Sequence, residues 1–198
     1  MTLTELWQES NTYTEPFKHV TINNIFPSNI LQEITKNLPN DSTTPVADYY
    51  PYGKVYAMGV DDCVSNKFWS GVHRFFNSTN VLEFVENKLD LNFKLKEANL
   101  SIHYDYKGEQ LGPHVDALHT LVIFLSEVDD PMASGTDYYV RQHSDWKDNE
   151  IAKWSLFSLF KTIPAILNTG HLFEPAENSW HGFYNLGEDR TGLIMRFK

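Results

Sequence analysis

The sequence predicts a mainly β domain, either an antiparallel sandwich or a double-stranded barrel of the jelly-roll kind, with helices flanking it on the N-terminal side. Three observations carry this. Past residue 90, short segments rich in β-branched and aromatic residues follow one another at 92–96, 98–106, 118–126, 136–141, 154–160, 165–173, 180–184 and 190–197. They are separated by turn-forming groups: Gly108, Gly112-Pro113, Asp129-Asp130-Pro131, Pro164, Glu174-Pro175 and Gly187. Many short strands with Gly/Pro punctuation are how a sheet folds back on itself. Before residue 90 the apolar spacing is helical instead. No repeat, low-complexity run or linker interrupts the 198 residues, which suit one domain, with 1–90 as mixed support and 91–198 as the jelly-roll core.

Each element has a local reason. Phe17 to Ile25 alternates loosely and reads as a strand. Pro27-Ser28 offers a helix start, Ile30, Leu31, Ile34 and Leu38 share one helical face, and Pro39-Asn40-Asp41 is the stop. Residues 41–63 carry Tyr49, Tyr50, Tyr52 and Tyr56 among Pro, Gly and Asp, and read as a long loop with a short strand. The spacing of Phe68, Trp69, Val72, Phe75 and Phe76 predicts a helix over 66–77. A second helix, 80–89, opens on Asn80 and Glu83, the spacing of a capping box. Residues 145–161 fit a helix or a buried strand equally well.

Composition narrows the function. Hydrophobic residues make up 41% and aromatics 14%, enough to build a core and too much for a disordered chain. The net charge is −10, with no Lys/Arg cluster, so a phosphate backbone would be repelled and a nucleic-acid partner is not expected. The single cysteine, Cys63, can form no internal disulfide and supports no Cys-rich zinc module. The first residues lack the basic-then-apolar order of a secretory signal, and no stretch approaches the roughly 20 apolar residues of a membrane span. Together these predict a soluble, cytoplasmic protein without a membrane partner; they leave oligomeric state open.

The most telling motif is His114-Val115-Asp116, followed by His181 and then Arg190. Two imidazoles and a carboxylate are the facial triad that holds non-haem Fe(II) with coordination positions left open. On an extended segment residues i and i+2 face the same way, so His114 and Asp116 can grip one ion while Val115 points elsewhere. His181 must come from another strand. Arg190, nine residues further on, could hold an anionic co-substrate through its planar fork. With eight histidines in the chain, roughly half an HxD triplet arises by chance, so the argument needs all four residues.

Set on the element map, the segments IHYDYKGEQLGPHVDALHTLVIFLS, SGTDYYV and NSWHGFYNLGEDRTGLIMRF resemble the iron(II)/2-oxoglutarate-dependent dioxygenases, most closely their prolyl 4-hydroxylase-like branch. The resemblance covers roughly 98–197 and, more faintly, 17–38. It implies a double-stranded β-helix (jelly-roll, cupin-like) with His114, Asp116 and His181 as iron ligands. It also implies Arg190 pairing with the distal carboxylate of 2-oxoglutarate. Tyr104 stands ten residues before His114, where the hypoxia-sensing prolyl hydroxylases place a tyrosine that contacts the co-substrate. Two departures stand out: Leu111 occupies a position often held by tyrosine, and Phe124 falls where a second co-substrate tyrosine is common. Thr120 could then assist Arg190.

The implied reaction consumes 2-oxoglutarate and O2, hydroxylates an aliphatic C–H, releases succinate and CO2, and admits ascorbate as a reductant. Asp116 favours hydroxylation, because related halogenases have a small residue there. The implied substrate is a prolyl residue of a peptide or protein, or a related amino-acid side chain. A free amino acid or small metabolite is the alternative substrate. A non-catalytic 2-oxoglutarate-sensing or binding module and a zinc hydrolase are the rivals from other classes. Tyr106, Arg141 and Trp180 are candidates for substrate contact, against the commoner roles of packing for Trp180 and a solvated edge charge for Arg141. Arg196 shares the strand face of Arg190 and reads as structural, while His19, His73, His103, His119, His143 and His171 lack partners at ligand spacing.

Overall fold

The computed structural model describes residue 7 and residues 10–38, 45–48, 54–58, 66–142 and 154–198. Within them, twelve strands form two antiparallel sheets. The strands are β1 (Asn11–Tyr13), β2 (His19–Ile22), β3 (Pro45–Asp48), β4 (Lys54–Met58), β5 (Ala98–Asp105) and β6 (Gln110–His114), then β7 (His119–Phe124), β8 (Thr136–Arg141), β9 (Phe157–Ile163), β10 (Gly170–Phe173), β11 (His181–Tyr184) and β12 (Arg190–Phe197). The larger sheet runs β1-β2-β10-β7-β12-β5-β4-β3 and the smaller β6-β11-β8-β9. This is the jelly-roll arrangement of a double-stranded β-helix.

Strand alternation divides the molecule into layers. On the outer face of the larger sheet, Val20, Ile22, Leu100, Ile102, Leu121, Ile123, Leu193 and Met195 form one cluster with Ile34, Trp69, Phe76, Val81, Val85 and Leu89. The latter belong to three helices, α1 (Ser28–Lys36), α2 (Lys67–Phe76) and α3 (Thr79–Leu89), which cover that face. Each such aliphatic or aromatic side chain contributes about 1.5–3 kcal/mol on leaving water. Between the sheets lies a second cluster of Phe17, Phe124, Tyr138, Ile163, Ala165 and Phe173. Trp7 plugs the helical layer and donates its indole N–H to the Ile25 carbonyl at 2.9 Å.

Several local expectations meet a different outcome. Asn66 caps α2, its side-chain oxygen accepting from the Phe68 amide at 2.9 Å. The second helix starts earlier than its capping-box spacing suggests: Ser78 stands at the cap without a side-chain hydrogen bond, and Asn80 lies inside the first turn. No strand forms over 92–96. There the Leu95 amide donates to the buried Glu86 carboxylate at 2.8 Å, Lys94 pairs with that carboxylate at 2.7 Å, and the Lys96 amide donates to the Lys198 carbonyl at 2.7 Å, so α3 and the residue after β12 hold the segment. Gly112-Pro113 is not a turn but the middle of β6. As the edge of the smaller sheet β6 tolerates a residue without an N–H. In the ambiguous 145–161 region, a 3-10 turn at Trp154–Leu156 leads into β9. Most of the tyrosine-rich 41–63 segment lies outside the described residues, as does His143.

Candidate metal and co-substrate site

The inner faces of the two sheets enclose a cavity with about 560 Å³ of space between atoms, its mouth included. The larger sheet lines it with His103 and Asp105 from β5, Thr120, Val122 and Phe124 from β7, and Arg190, Gly192, Ile194 and Arg196 from β12. The smaller sheet adds Leu111, His114, His181, Gly182, Phe183 and Thr136. Asp116 enters from the turn between β6 and β7.

His114 closes β6 and His181 opens β11, and the two are direct partners across the ladder. Residues far apart in the chain thus meet, with imidazole centroids 4.3 Å apart. Asp116 reaches between them: Oδ1 lies 3.9 Å from His114 Nε2 and Oδ2 lies 3.7 Å from His181 Nε2. One ligand atom from each of the three residues falls within 4.8 Å of the other two. Ligands about 2.1 Å from one ion at right angles would lie about 3 Å apart, so a closure of about 1 Å for each Asp116–histidine pair, and of under about 2 Å for the widest pair, brings these atoms to coordination distance. The donor chemistry fits as well. Each histidine Nδ1 sits 2.9 Å from a carbonyl, Gly112 for His114 and Ser179 for His181. A carbonyl can only accept, so both Nδ1 atoms carry the proton and both Nε2 lone pairs face the cavity. Behind His181, Phe173 packs at 4.5 Å and fixes the ring.

Protonation favours the same state. Burial, aided by the neighbouring His114, lowers the His181 pKa to about 4, which keeps the ring neutral at neutral pH. For Asp116, burial acts to raise the pKa, but His181, His114, Arg196 and the Thr120 hydroxyl outweigh it and the net shift is downward. Thr120 donates to Asp116 Oδ2 at 2.7 Å. Its hydroxyl thus faces the Asp116 carboxylate, with the Leu118 carbonyl a second acceptor at 3.0 Å.

Arg190 lies buried at the other end of the cavity in a complete cradle. Its Nε donates to Asp105 at 2.9 Å, and its Nη1 donates to the Gly135 carbonyl at 2.7 Å and also to that of Ser134. The guanidinium stacks 4.4 Å from the Phe183 ring and 5.6 Å from that of Phe124. Nη2 makes no hydrogen bond to the described residues. The pair with Asp105 offsets the formal charge, so what Arg190 presents to the cavity is one directed N–H edge.

The other candidate residues are placed elsewhere. Tyr104 belongs to the outer cluster with Leu100 and Ile102 and does not line the cavity. Its neighbours His103 and Asp105 point inward in its stead. Tyr106 packs against the same outer cluster. Arg141 and Trp180 line a separate cleft with Pro16, Tyr139, Val140, Glu177 and Asn178. Trp180 turns outward because it precedes the inward-facing His181, and its ring sits 4.8 Å from Phe157. The cavity also takes in His103, expected to be an ordinary polar residue, Arg196, expected to be structural, and Asp105, for which the sequence suggested no role. His103 is held neutral, its pKa lowered to about 4 by burial, and it shares a hydrogen bond with the Ser101 hydroxyl at 3.0 Å. The missed signal was parity: His103 and Asp105 alternate with the apolar Leu100 and Ile102, and so does not Tyr104, which shares their face.

No family model matches the sequence, and no curated protein matches it. Solved structures do resemble the fold. A prolyl-4-hydroxylase of Pseudomonas putida superposes with a TM-score of 0.63 at 11% identity, over 100% of this chain and 98% of that one. A prolyl hydroxylase of Trichoplax adhaerens, in complex with a hypoxia-inducible-factor degradation-domain peptide, gives 0.60 at 14% identity over 90% and 82%. HygX of Streptomyces hygroscopicus, holding nickel, 2-oxoglutarate and hygromycin B, gives 0.57 at 12% identity over 90% and 82%. In fold, then, this chain is of the kind shared by the 2-oxoglutarate- and Fe(II)-dependent oxygenases, prolyl hydroxylases among them.

Proposed function

We propose that the protein is an Fe(II)/2-oxoglutarate-dependent dioxygenase that hydroxylates an aliphatic C–H bond of an amino-acid-type substrate. The observation that carries this is the convergence of His114, Asp116 and His181 in one inter-sheet cavity, with both Nε2 lone pairs turned inward. Three protein ligands would leave positions for a chelating co-substrate and for O2. Bound Fe(II) with 2-oxoglutarate supplies the oxidising chemistry, with succinate and CO2 as co-products.

The chain's own contribution is placement. Thr120 fixes the Asp116 carboxylate, the Gly112 and Ser179 carbonyls fix the two imidazoles, and the Nη2 edge of Arg190 would meet the distal carboxylate of 2-oxoglutarate. Phe124, Val122 and Ile194 keep the intervening space apolar and exclude water. A prolyl residue in a peptide is one substrate reading, supported by the two prolyl hydroxylases of similar fold. A free small molecule is the other, and the similar fold of HygX supports it.

Anaerobic titration with Fe(II) and 2-oxoglutarate tests the reading. The expected result is the weak visible charge-transfer band of the chelate, with succinate formed once O2 is admitted. Arg190→Lys keeps a cation for Asp105 but loses the fork, and should raise the 2-oxoglutarate midpoint by about tenfold or more with metal binding retained. Absence of the band in the wild type, together with no consumption of 2-oxoglutarate, would remove the reading.

A further inference from the structure

The cavity contains two permanent cations, and they are in opposite states. Arg190 is fully enclosed, paired with Asp105 and bonded to two carbonyls. Arg196 faces the same cavity from the same strand face, yet among the described residues its one hydrogen bond runs to the Ser101 hydroxyl at 3.4 Å. No carboxylate of the described residues comes within ion-pair distance of it. The nearest acid in the cavity wall, Asp116, is turned to His114 and His181 and holds the Thr120 proton.

Position along the strand separates the two arginines by function. Six residues at about 3.3–3.4 Å each put their Cα atoms about 20 Å apart. Arg190 is paired with Asp105, near the Phe124 end, whereas Arg196 is directly opposite Thr120, the residue that holds Asp116. Its charge is felt at Asp116, His103 and His181, where it favours the deprotonated forms. Arg196 therefore stands beside the triad, at the end away from Arg190.

We infer that Arg196 anchors a carboxylate of the primary substrate, and that this substrate is a small aliphatic carboxylic acid of the amino-acid type rather than the interior of a peptide chain. The inference rests on the function proposed above and narrows its substrate. A half-buried guanidinium left unpaired when a neutral ligand displaces the surrounding water is costly, whereas a carboxylate matches its two parallel N–H groups. A phosphate dianion would leave one of its charges uncompensated, because Arg190 lies at the far end of the cavity. Val122 and Ile194, the next cross-strand pair towards Arg190, provide an apolar wall beside the anchor against which an aliphatic chain would lie.

The experiment uses the anaerobic Fe(II)·2-oxoglutarate complex of the full chain. It is titrated with each of the common amino acids and, in parallel, with the α-carboxamide of each. At least one free acid should perturb the charge-transfer band and stimulate succinate formation in air, while its amide should not. Arg196→Gln should raise the half-saturating concentration of that acid by about tenfold or more, with Arg196→Lys in between. The 2-oxoglutarate midpoint of Arg196→Gln should stay within about twofold of wild type. The inference is overturned if no acid perturbs the band, if acids and amides act equally, or if Arg196→Gln shifts the 2-oxoglutarate midpoint instead, which would make Arg196 the co-substrate anchor. A wild type without any band would remove the proposed function itself, which is a separate and recognisable result.

Discussion

At the scale of single residues the site is set by which way a side chain leaves its strand. Tyr104 and Asp105 are adjacent, yet one faces the helices and the other faces Arg190. Tyr104→Phe should accordingly leave the 2-oxoglutarate midpoint of the Fe(II) complex unchanged; a shift of tenfold would show that the hydroxyl reaches the co-substrate after all. The meeting of His114, Asp116 and His181 was anticipated from the HxD spacing and from the resemblance carried by the segment around His181, although Asp116 reaches the cluster from a turn and not from an extended strand. The partners of Arg190 were not readable. Asp105 lies 85 positions before it, and only the β5–β12 register makes them neighbours. Arg196 was visible as a residue on the right face but was read as structural, because sequence gives no sign of whether a guanidinium has found an acid.

Among the elements, β6 and β11 matter most, because their ladder brings His114 opposite His181. The ladder slips register between His181 and Phe183, and Gly182 sits in that slip. A Cβ on Gly182 would fall 2.4 Å from the Leu111 carbonyl oxygen and 3.0 Å from that of Gly112. Both contacts are with β6 backbone, so the strands must part. Gly182→Ala should lower stability by about 1–3 kcal/mol and weaken metal binding, read by thermal melting and metal titration; wild-type values in both would contradict the close approach. The β6 strand was hidden in the sequence by Gly112-Pro113, which reads as a turn until the strand is known to be a sheet edge. The absent strand at 92–96 has the converse cause, since Glu86 takes up its amide from a helix.

For the whole molecule, layering controls both folding and response to pH. The helical N-terminal part and the strand-rich remainder were legible because periods of 3.6 and 2 residues are written directly in the apolar pattern. Strand order was not, since neither sheet follows chain order. Enclosing histidines between two sheets has a further consequence. Burial lowers His19 and His103 to about 4 and drives His171 well below its ordinary value. Unfolding restores these groups to about 6.5, so the unfolded chain binds more protons between pH 6.5 and 4. The stability due to neutral imidazoles is present above pH 6.5 and is lost on acidification, at up to about 1.4 kcal/mol per pH unit for each histidine. Urea unfolding of the metal-free protein from pH 7 to 5, above the range of ordinary carboxylates, should show this decline; constant stability there would contradict the burial of these rings.

That one ion is held by three side chains drawn from two strands and the turn beside them is the proposal on which the rest depends. Its most direct measurement is calorimetric titration of the metal-free protein with Mn(II), a redox-stable stand-in for Fe(II), alongside His114→Ala, Asp116→Ala and His181→Ala. One site per chain is expected in the wild type and a loss of about 100-fold or more in affinity for each variant, with the fold retained by circular dichroism. Wild-type affinity in any of the three variants, or no binding by the wild type, would contradict it.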